Sequence, residues 1–251
     1  LEEVKEHKNL KNVAKDAFEG TAWENAQPDG ALSFGRVLYS YKGAVKDVVI
    51  PEGVSLIEDY AFLGCESIET LTLGYDVEEI GLFAFQNCVN LKTVNVNDAL
   101  GVISAGAFKG CTARTGMDFS ETTLATLGYE AFSGCVSLAE VKLCETISEI
   151  GEYAFRETAI KTISFDKNIN SVNANSFLNA KNFEGFEVVD NNKEFTAIDG
   201  VLFNKKATTL VCFPAAKLAG GKYEIPESVK EIAPKAFYGA TVAQVSFAEN
   251  S

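Results

Sequence analysis

Few residues in this sequence are of a type that does covalent chemistry, and their spacing is poor for it. The single histidine, His7, lies in a charged stretch near the start of the chain. A Ser-His-Asp or Cys-His arrangement would have to recruit it from the part of a chain that is ordinarily least tied down. A hydrolase reading would therefore need an activity that survives deletion of residues 1–9. Of the six cysteines, Cys65, Cys88, Cys111 and Cys135 recur three residues after a phenylalanine. No CxxC pair accompanies them, so the spacing does not indicate zinc. Strands stacked about 4.8 Å apart would bring such Cα atoms within disulfide range, but parallel side chains point the same way rather than at each other. The expectation is a ladder of free thiols acting as small apolar fillers, with Cys144 and Cys212 outside it. Asp190, Asn191, Asn192 and Glu194 could offer oxygens to Ca²⁺, although such a cluster is more often simply a turn. There is no GxGxxG or GxxxxGK[ST] phosphate cradle. Among 35 carboxylates some close pairs are inevitable and carry no glycosidase signal. No catalytic residue, metal or cofactor is expected.

The elements that must position any functional side chain are written as one repeated phrase. It runs Val54-x-x-Ile57-x-x-x-Ala61-Phe62-x-x-Cys65-x-x-Ile68-x-x-Leu71-x-Leu73 and returns at Val77, Leu100, Leu124 and Ile147. Phe62, Phe85, Phe108, Phe132 and Phe155 fall 23, 23, 24 and 23 residues apart. The Leu71-x-Leu73, Val94-x-Val96, Met117-x-Phe119, Val141-x-Leu143 and Ile163-x-Phe165 pairs have the period of a half-buried strand. The stretch from Ile80 to Cys88 has apolar residues spaced for one or two turns of α- or 3-10 helix with its Ala-Phe side inward. One coil of strand, short extended side and helix cannot bury its apolar side alone, so the coils must stack. Stacking predicts a column of Phe62, Phe85, Phe108, Phe132, Phe155, Phe177 and Phe237. Arg114 stands where other copies have Leu91 and Leu138, so its charge is expected to snorkel outward or to meet a carboxylate.

The fold class is therefore an α/β solenoid: a right-handed superhelix with a parallel β-sheet face, short helices opposite and an inserted β-meander. Residues 1–47 form an N-terminal cap and β module, in which Thr21-Ala22-Trp23 opens a loop. Residues 48–188 are the repeat solenoid, 189–222 the meander, built on an Asp199-Gly200 turn, and 223–251 a last repeat. Val37-Leu38-Tyr39 and Val201-Leu202-Phe203 are expected to play the same part before each restart of the register through Ile-Pro-Glu. The sequence ends just after a strand, whose edge is expected to be covered by further chain or by another molecule.

The recurring phrase, with the Asp-Gly-Val-Leu-Phe meander and its Ile-Pro-Glu-Ser-Val restart, resembles the BspA-like leucine-rich repeat over about residues 10–250. That resemblance implies a curved solenoid, a secreted or surface-exposed protein of host-associated bacteria or protozoa, and a role in adhesion. It brings no catalytic residues.

Composition narrows the partners. A net charge of −13 with no Lys/Arg cluster disfavours nucleic acid and anionic membrane surfaces. No apolar run is long enough to span a bilayer. The chain begins at Leu1, so it is silent on a leader or anchor. What remains is the outward side of the strands, where alternation puts Thr72, Asn95, Asp118, Lys142, Ser164, Glu187 and Ser246 in one stripe. Such a row could bind a protein or glycan on a host or neighbouring cell. Equally, it could be no more than the solvated side of a half-buried sheet. Lys205 and Lys206, at the meander tip, are a second candidate contact. The leading expectation is a non-enzymatic surface binding or adhesion module; the alternative is a spacer that displays another domain.

Overall fold

The computed structural model describes Val4, Leu10, Lys11, Val13, Ala14 and residues 16–172 and 174–248. The charged start with His7, and Asn173, lie outside the described residues. Thr21 does not open a loop: its hydroxyl caps a short helix, α1 (Ala22–Ala26), by accepting from Glu24 N at 3.1 Å. An antiparallel hairpin follows, β1 (Gly30–Phe34) and β2 (Val37–Lys42). From there two kinds of strand alternate. Short ones, β4 (Leu56–Ile57), β6 (Glu79–Ile80), β8 (Val102–Ile103), β10 (Thr126–Leu127) and β12 (Glu149–Ile150), pair in parallel with one another and, through β4, with β2. Longer ones are β3 (Asp47–Val49), β5 (Thr70–Thr72), β7 (Thr93–Asn95), β9 (Gly116–Asp118), β11 (Glu140–Lys142), β13 (Thr162–Phe165) and β14 (Gly185–Val188). They make a second parallel wall in three blocks: β3-β5-β7, β9-β11 and β13-β14. The protein is a β-solenoid with parallel sheets, as the repeat demands.

The third wall differs from expectation. Instead of a helix, each Ala-Phe segment from Phe62 to Phe155 is a pair of turns bracketed by two left-handed residues. Phe83 (φ 52°) and Asn87 (φ 59°) flank Phe85; Gly106 (φ 62°) and Gly110 (φ 75°) flank Phe108. Two such residues within one turn break the helical path. The freed N–H groups bond instead to the next coil: Phe85 N to Ala107 O, Phe108 N to Ala131 O and Phe132 N to Ala154 O, at 2.7–2.9 Å. Among the described residues, the one expected helix that forms is a 3-10 turn, Ala174–Phe177. This wall is as much an inter-coil ladder as the other two, which is why there is so little helix.

All three walls enclose one apolar interior. The rings of Tyr41, Phe62, Phe85, Phe108, Phe132, Phe155, Phe177 and Phe183 stack in a continuous column, neighbours 4.6–5.9 Å apart with their planes within 26° of parallel. Phe237, expected in this column, is not in it. It stacks on Phe213 at 4.9 Å, beside a second apolar cluster of Val201, Phe203, Leu210, Tyr223 and Ile225. The division arises at the meander, β15 (Phe195–Ile198), β16 (Val201–Asn204) and β17 (Thr209–Cys212), whose antiparallel pairing inserts between the coils. Beyond it β18 (Lys222–Ile225) pairs with β20 (Gln244–Phe247), and β17 with β19 (Glu231–Ile232).

The meander also corrects a correspondence. Since β17 pairs in parallel with β19 as β2 does with β4, the counterpart of Val37–Tyr39 is Thr209–Val211. Val201–Phe203 instead answers to β1; both follow an Asp-Gly pair, Asp29-Gly30 and Asp199-Gly200. At the other end Phe18, Trp23, Phe34 and Tyr39 form an aromatic cluster that closes the first coil.

Candidate binding surface on the strand wall

The strand wall positions the stripe by alternation: in each coil the flanking residues point in and the central one out. Leu71, Val94, Met117, Val141, Ile163 and Phe186 are buried beneath it. Registers Thr72↔Asn95, Asp118↔Lys142 and Ser164↔Glu187 place stripe residues side by side. Each of these pairs is bonded. Asn95 Nδ2 donates to Thr72 Oγ1 at 3.0 Å, Lys142 Nζ lies 2.8 Å from Asp118 Oδ2, and Ser164 Oγ donates to Glu187 Oε2 at 2.7 Å. Lys142 and the Ser120 hydroxyl hold the Asp118 carboxyl down at about 2, and Asp118 in turn raises Lys142. Ser246 is not with the other six. It faces Glu224 in the separate β18–β20 pair. Lys205 and Lys206 sit in the exposed turn between β16 and β17, and Lys205 Nζ is engaged by the Asp190 carbonyl at 2.7 Å.

The wall is interrupted between β11 and β13 and also between β7 and β9, where Arg114 occupies the carbonyl at the break. Within the blocks one carbonyl receives two backbone N–H groups of the next coil: Glu69 O takes Lys92 N and Thr93 N, and Thr115 O takes Ala139 N and Glu140 N. Between β7 and β9 Lys92 O is taken by Arg114 Nη1, 2.6 Å away, while Arg114 Nε donates to Met117 Sδ. The guanidinium neither snorkels nor finds a carboxylate. It is 5% exposed, and burial pulls it down to about 10. The backbone carbonyl is the nearest acceptor, and reaching it costs the ladder one rung.

The other candidate chemistry is spent on structure. Cys88, Cys111 and Cys135 Sγ donate to the carbonyls of Phe62, Phe85 and Phe108 in the preceding coil, at 3.1–3.2 Å. All six cysteines are free thiols, and burial pushes Cys88 and Cys212 up to about 12, far from a reactive thiolate. Asn192 is buried: its amide nitrogen caps the Asp166 and Ile169 carbonyls, and its oxygen accepts from Glu194 N and Phe195 N. Among the described residues no cluster of His, Cys, Asp or Glu could hold a metal ion.

One feature escaped the sequence reading. Beside the stripe, a groove of about 550 Å³ opens at the ends of β3, β5 and β7, lined by Val49, Pro51, Glu52, Tyr75, Val96, Asn97 and Asp98 among others. Glu52, Tyr75 and Asp98 each stand three residues after a stripe position, so they form one exposed column. Glu121 and Glu145 hold the same position further along. That column of acids was readable from the repeat alignment. The groove was not, because it depends on how three corners bulge.

The repeat model of the BspA type leucine-rich repeat region matches residues 32–124 and 117–218, in six copies. The chain belongs to that family. Among solved structures, a leucine-rich cell surface protein of Faecalibacterium prausnitzii is 24% identical with a TM-score of 0.68, covering 84% of this chain and 62% of its own. The pneumococcal vaccine antigen PcpA is 19% identical with a TM-score of 0.71, covering 86% and 58%. A T. pallidum leucine-rich repeat protein is 28% identical with a TM-score of 0.58, covering 60% and 73%. The chain thus spans about three fifths of the length of the first two. No curated protein matches it. Among the described residues no helix is long and apolar enough to cross a membrane.

Proposed function

We propose that this leucine-rich repeat chain is a non-enzymatic binding module of a cell surface, which recognises a protein or glycan on a host or neighbouring cell through its strand wall. The observation that carries the reading is the stripe itself. It presents one exposed polar side chain per coil, about 4.8 Å apart, on a floor of buried apolar residues that fixes their spacing. Placement outside the cell is supported by the likeness to the Faecalibacterium protein, a leucine-rich cell surface protein. The residues proposed for contact are Thr72, Asn95, Asp118, Lys142, Ser164 and Glu187. Ser246 and the Lys205–Lys206 turn form separate secondary candidates.

The test is capture of host surface proteins and glycans by the chain and by an Asp118→Ala/Lys142→Ala/Glu187→Ala variant. Exposed substitutions of this kind leave the fold intact, checked by an unchanged circular-dichroism spectrum. Loss of capture by the folded variant supports the reading; undiminished capture moves the site elsewhere. A second reading, a spacer that displays another domain, is favoured by one observation: the stripe residues satisfy one another in pairs. On that reading the triple substitution is silent and the chain captures nothing.

A further inference from the structure

We propose that the groove between the corners of the first three coils seats an arginine or lysine side chain from a basic segment of a partner protein. This deepens the reading of the chain as a binding module, but it does not depend on the stripe.

Four features of the groove converge on a long cationic side chain. Its lining carries two carboxylates, Glu52 and Asp98, and no lysine, arginine or histidine. Neither carboxylate forms an ion pair among the described residues, unlike Glu69, which holds both Lys46 and Lys92. Their neighbour in the column, Tyr75, is 78% exposed, so its ring is open to a cation. Between them Val49, 67% exposed, with Leu73 and Val96, offers an apolar track for the methylenes of an arginine or lysine stem.

The fourth feature is Asn97, which lines the groove and is only 8% exposed. Its Nδ2 donates to the carbonyls of Gly74 and Val77. Carbonyls can only accept, so the amide cannot be flipped. Its Oδ1 is then left buried without a donor among the described residues. Asn192 shows that the fold can do otherwise. It caps the equivalent carbonyls, Asp166 and Ile169, and its oxygen takes two backbone N–H groups. At Asn97 the corner supplies none. This buried oxygen, on a residue that lines the groove with two unpaired carboxylates, adds to their negative potential, and a cationic side chain that brings N–H donors to the carboxylates matches it. Arginine suits it best, since a planar guanidinium stacks on a tyrosine ring while its fork meets a carboxylate. Glu121, at the same position in the next coil, extends the negative edge, while Glu145 beyond it is paired with Lys167, so a flanking basic residue of the segment is favoured at the Glu121 end.

The test uses the whole chain and a blocked nine-residue peptide of alternating valine and arginine, followed by titration calorimetry and NMR. Saturable binding is expected, weakening as salt rises. It should shift the Asn97 side-chain amide and the Val49 and Val96 methyl resonances. Tyr75→Ala and Glu52→Gln/Asp98→Asn, all at exposed positions, are expected to weaken it at least tenfold at an unchanged melting temperature. Replacing arginine with citrulline, which keeps the shape and removes the charge, should abolish it. Equal binding of the citrulline peptide, resonance shifts elsewhere, or undiminished affinity of both variants overturns the proposal. So does tighter occupation of the same groove by chitotetraose, which would assign it to a glycan. The Asp118→Ala/Lys142→Ala/Glu187→Ala variant separates the two readings. A chain that takes the peptide but captures nothing through the stripe sinks the stripe alone. Capture through the stripe beside an empty groove sinks the groove alone.

Discussion

Arg114 shows how one residue can reshape a wall. A guanidinium has been placed where the repeat wants leucine, and its burial is offset by one strong backbone bond and a thioether contact. Buried charges replaced by apolar side chains of similar size often leave a protein unchanged or more stable. Arg114→Leu is therefore expected to raise stability by about 1 kcal/mol or more, and to return Lys92 O to the backbone ladder. Arg114→Ala keeps neither packing nor bond and should lower it. Urea denaturation of the two variants checks both signs. Asp118 gives the pH dependence of the same wall. Its folded carboxyl titrates at about 2, below the ordinary aspartate value of about 3.9. Its contribution is therefore fully present above about pH 4 and is lost as the pH falls through its folded value. The pair is half exposed, so the effect is small and screened by salt. Unfolding curves of the wild-type chain and Asp118→Asn should differ at pH 6 in low salt and converge by about pH 2.

At the scale of the element, the turn wall is the part that the sequence led astray. Apolar spacing from Ile80 to Cys88 fits a helix and fits two turns equally well, because both put Ala84 and Phe85 inward. What separates them is the φ of the flanking residues. Glycine or asparagine two residues after the phenylalanine, at Gly64, Asn87, Gly110 and Gly134, was the available signal. The signal is blurred two residues before it, where Tyr60, Phe83, Glu130 and Tyr153 take positive φ without being glycine. A side chain in that region costs about 1–2 kcal/mol. Gly110→Ala, whose new Cβ would also collide with Asn87 Oδ1, should lower stability by about that amount. Glu157, at φ 60° in the same position of its coil, is the reverse case. Glu157→Gly should raise stability by up to about 1 kcal/mol, the relief of strain being partly offset by the freer unfolded chain. Thermal melts of the pair, one down and one up, check this.

Across the whole molecule, the meander divides one solenoid into two apolar interiors of unequal depth. Phe108 is buried in the middle of the long column, with Phe85 on one side and Phe132 on the other. Phe108→Ala should cost about 3–5 kcal/mol. Phe237 is only half-buried, and around it Ile232, Tyr238, Val245 and Phe247 are exposed, Phe247 at 65%. Phe237→Ala should therefore cost well under half as much. Hydrogen exchange should show the amides of β18–β20 opening before those of β4–β12, since fewer apolar contacts hold them. Protection that is uniform along the chain would mean that the two interiors act as one.

The sequence by itself determined the coil. A strict period of 23 or 24 residues, with Ala-Phe, the cysteine and paired branched residues in fixed places, admits only stacking, because no copy can bury its apolar side alone. It also determined which side chains point out at each coil, since alternation along a strand leaves no choice. Only the tertiary structure decided what those outward side chains do. The pairing of Asp118 with Lys142, the capture of Lys92 O by Arg114 and the capping of the Gly74 and Val77 carbonyls by Asn97 all join residues 20 or more apart in the chain. They depend on ångström-scale offsets between neighbouring corners. A repeat fixes which residues meet; the local path of each corner sets the distance at which they meet, and hydrogen bonds are decided by distance.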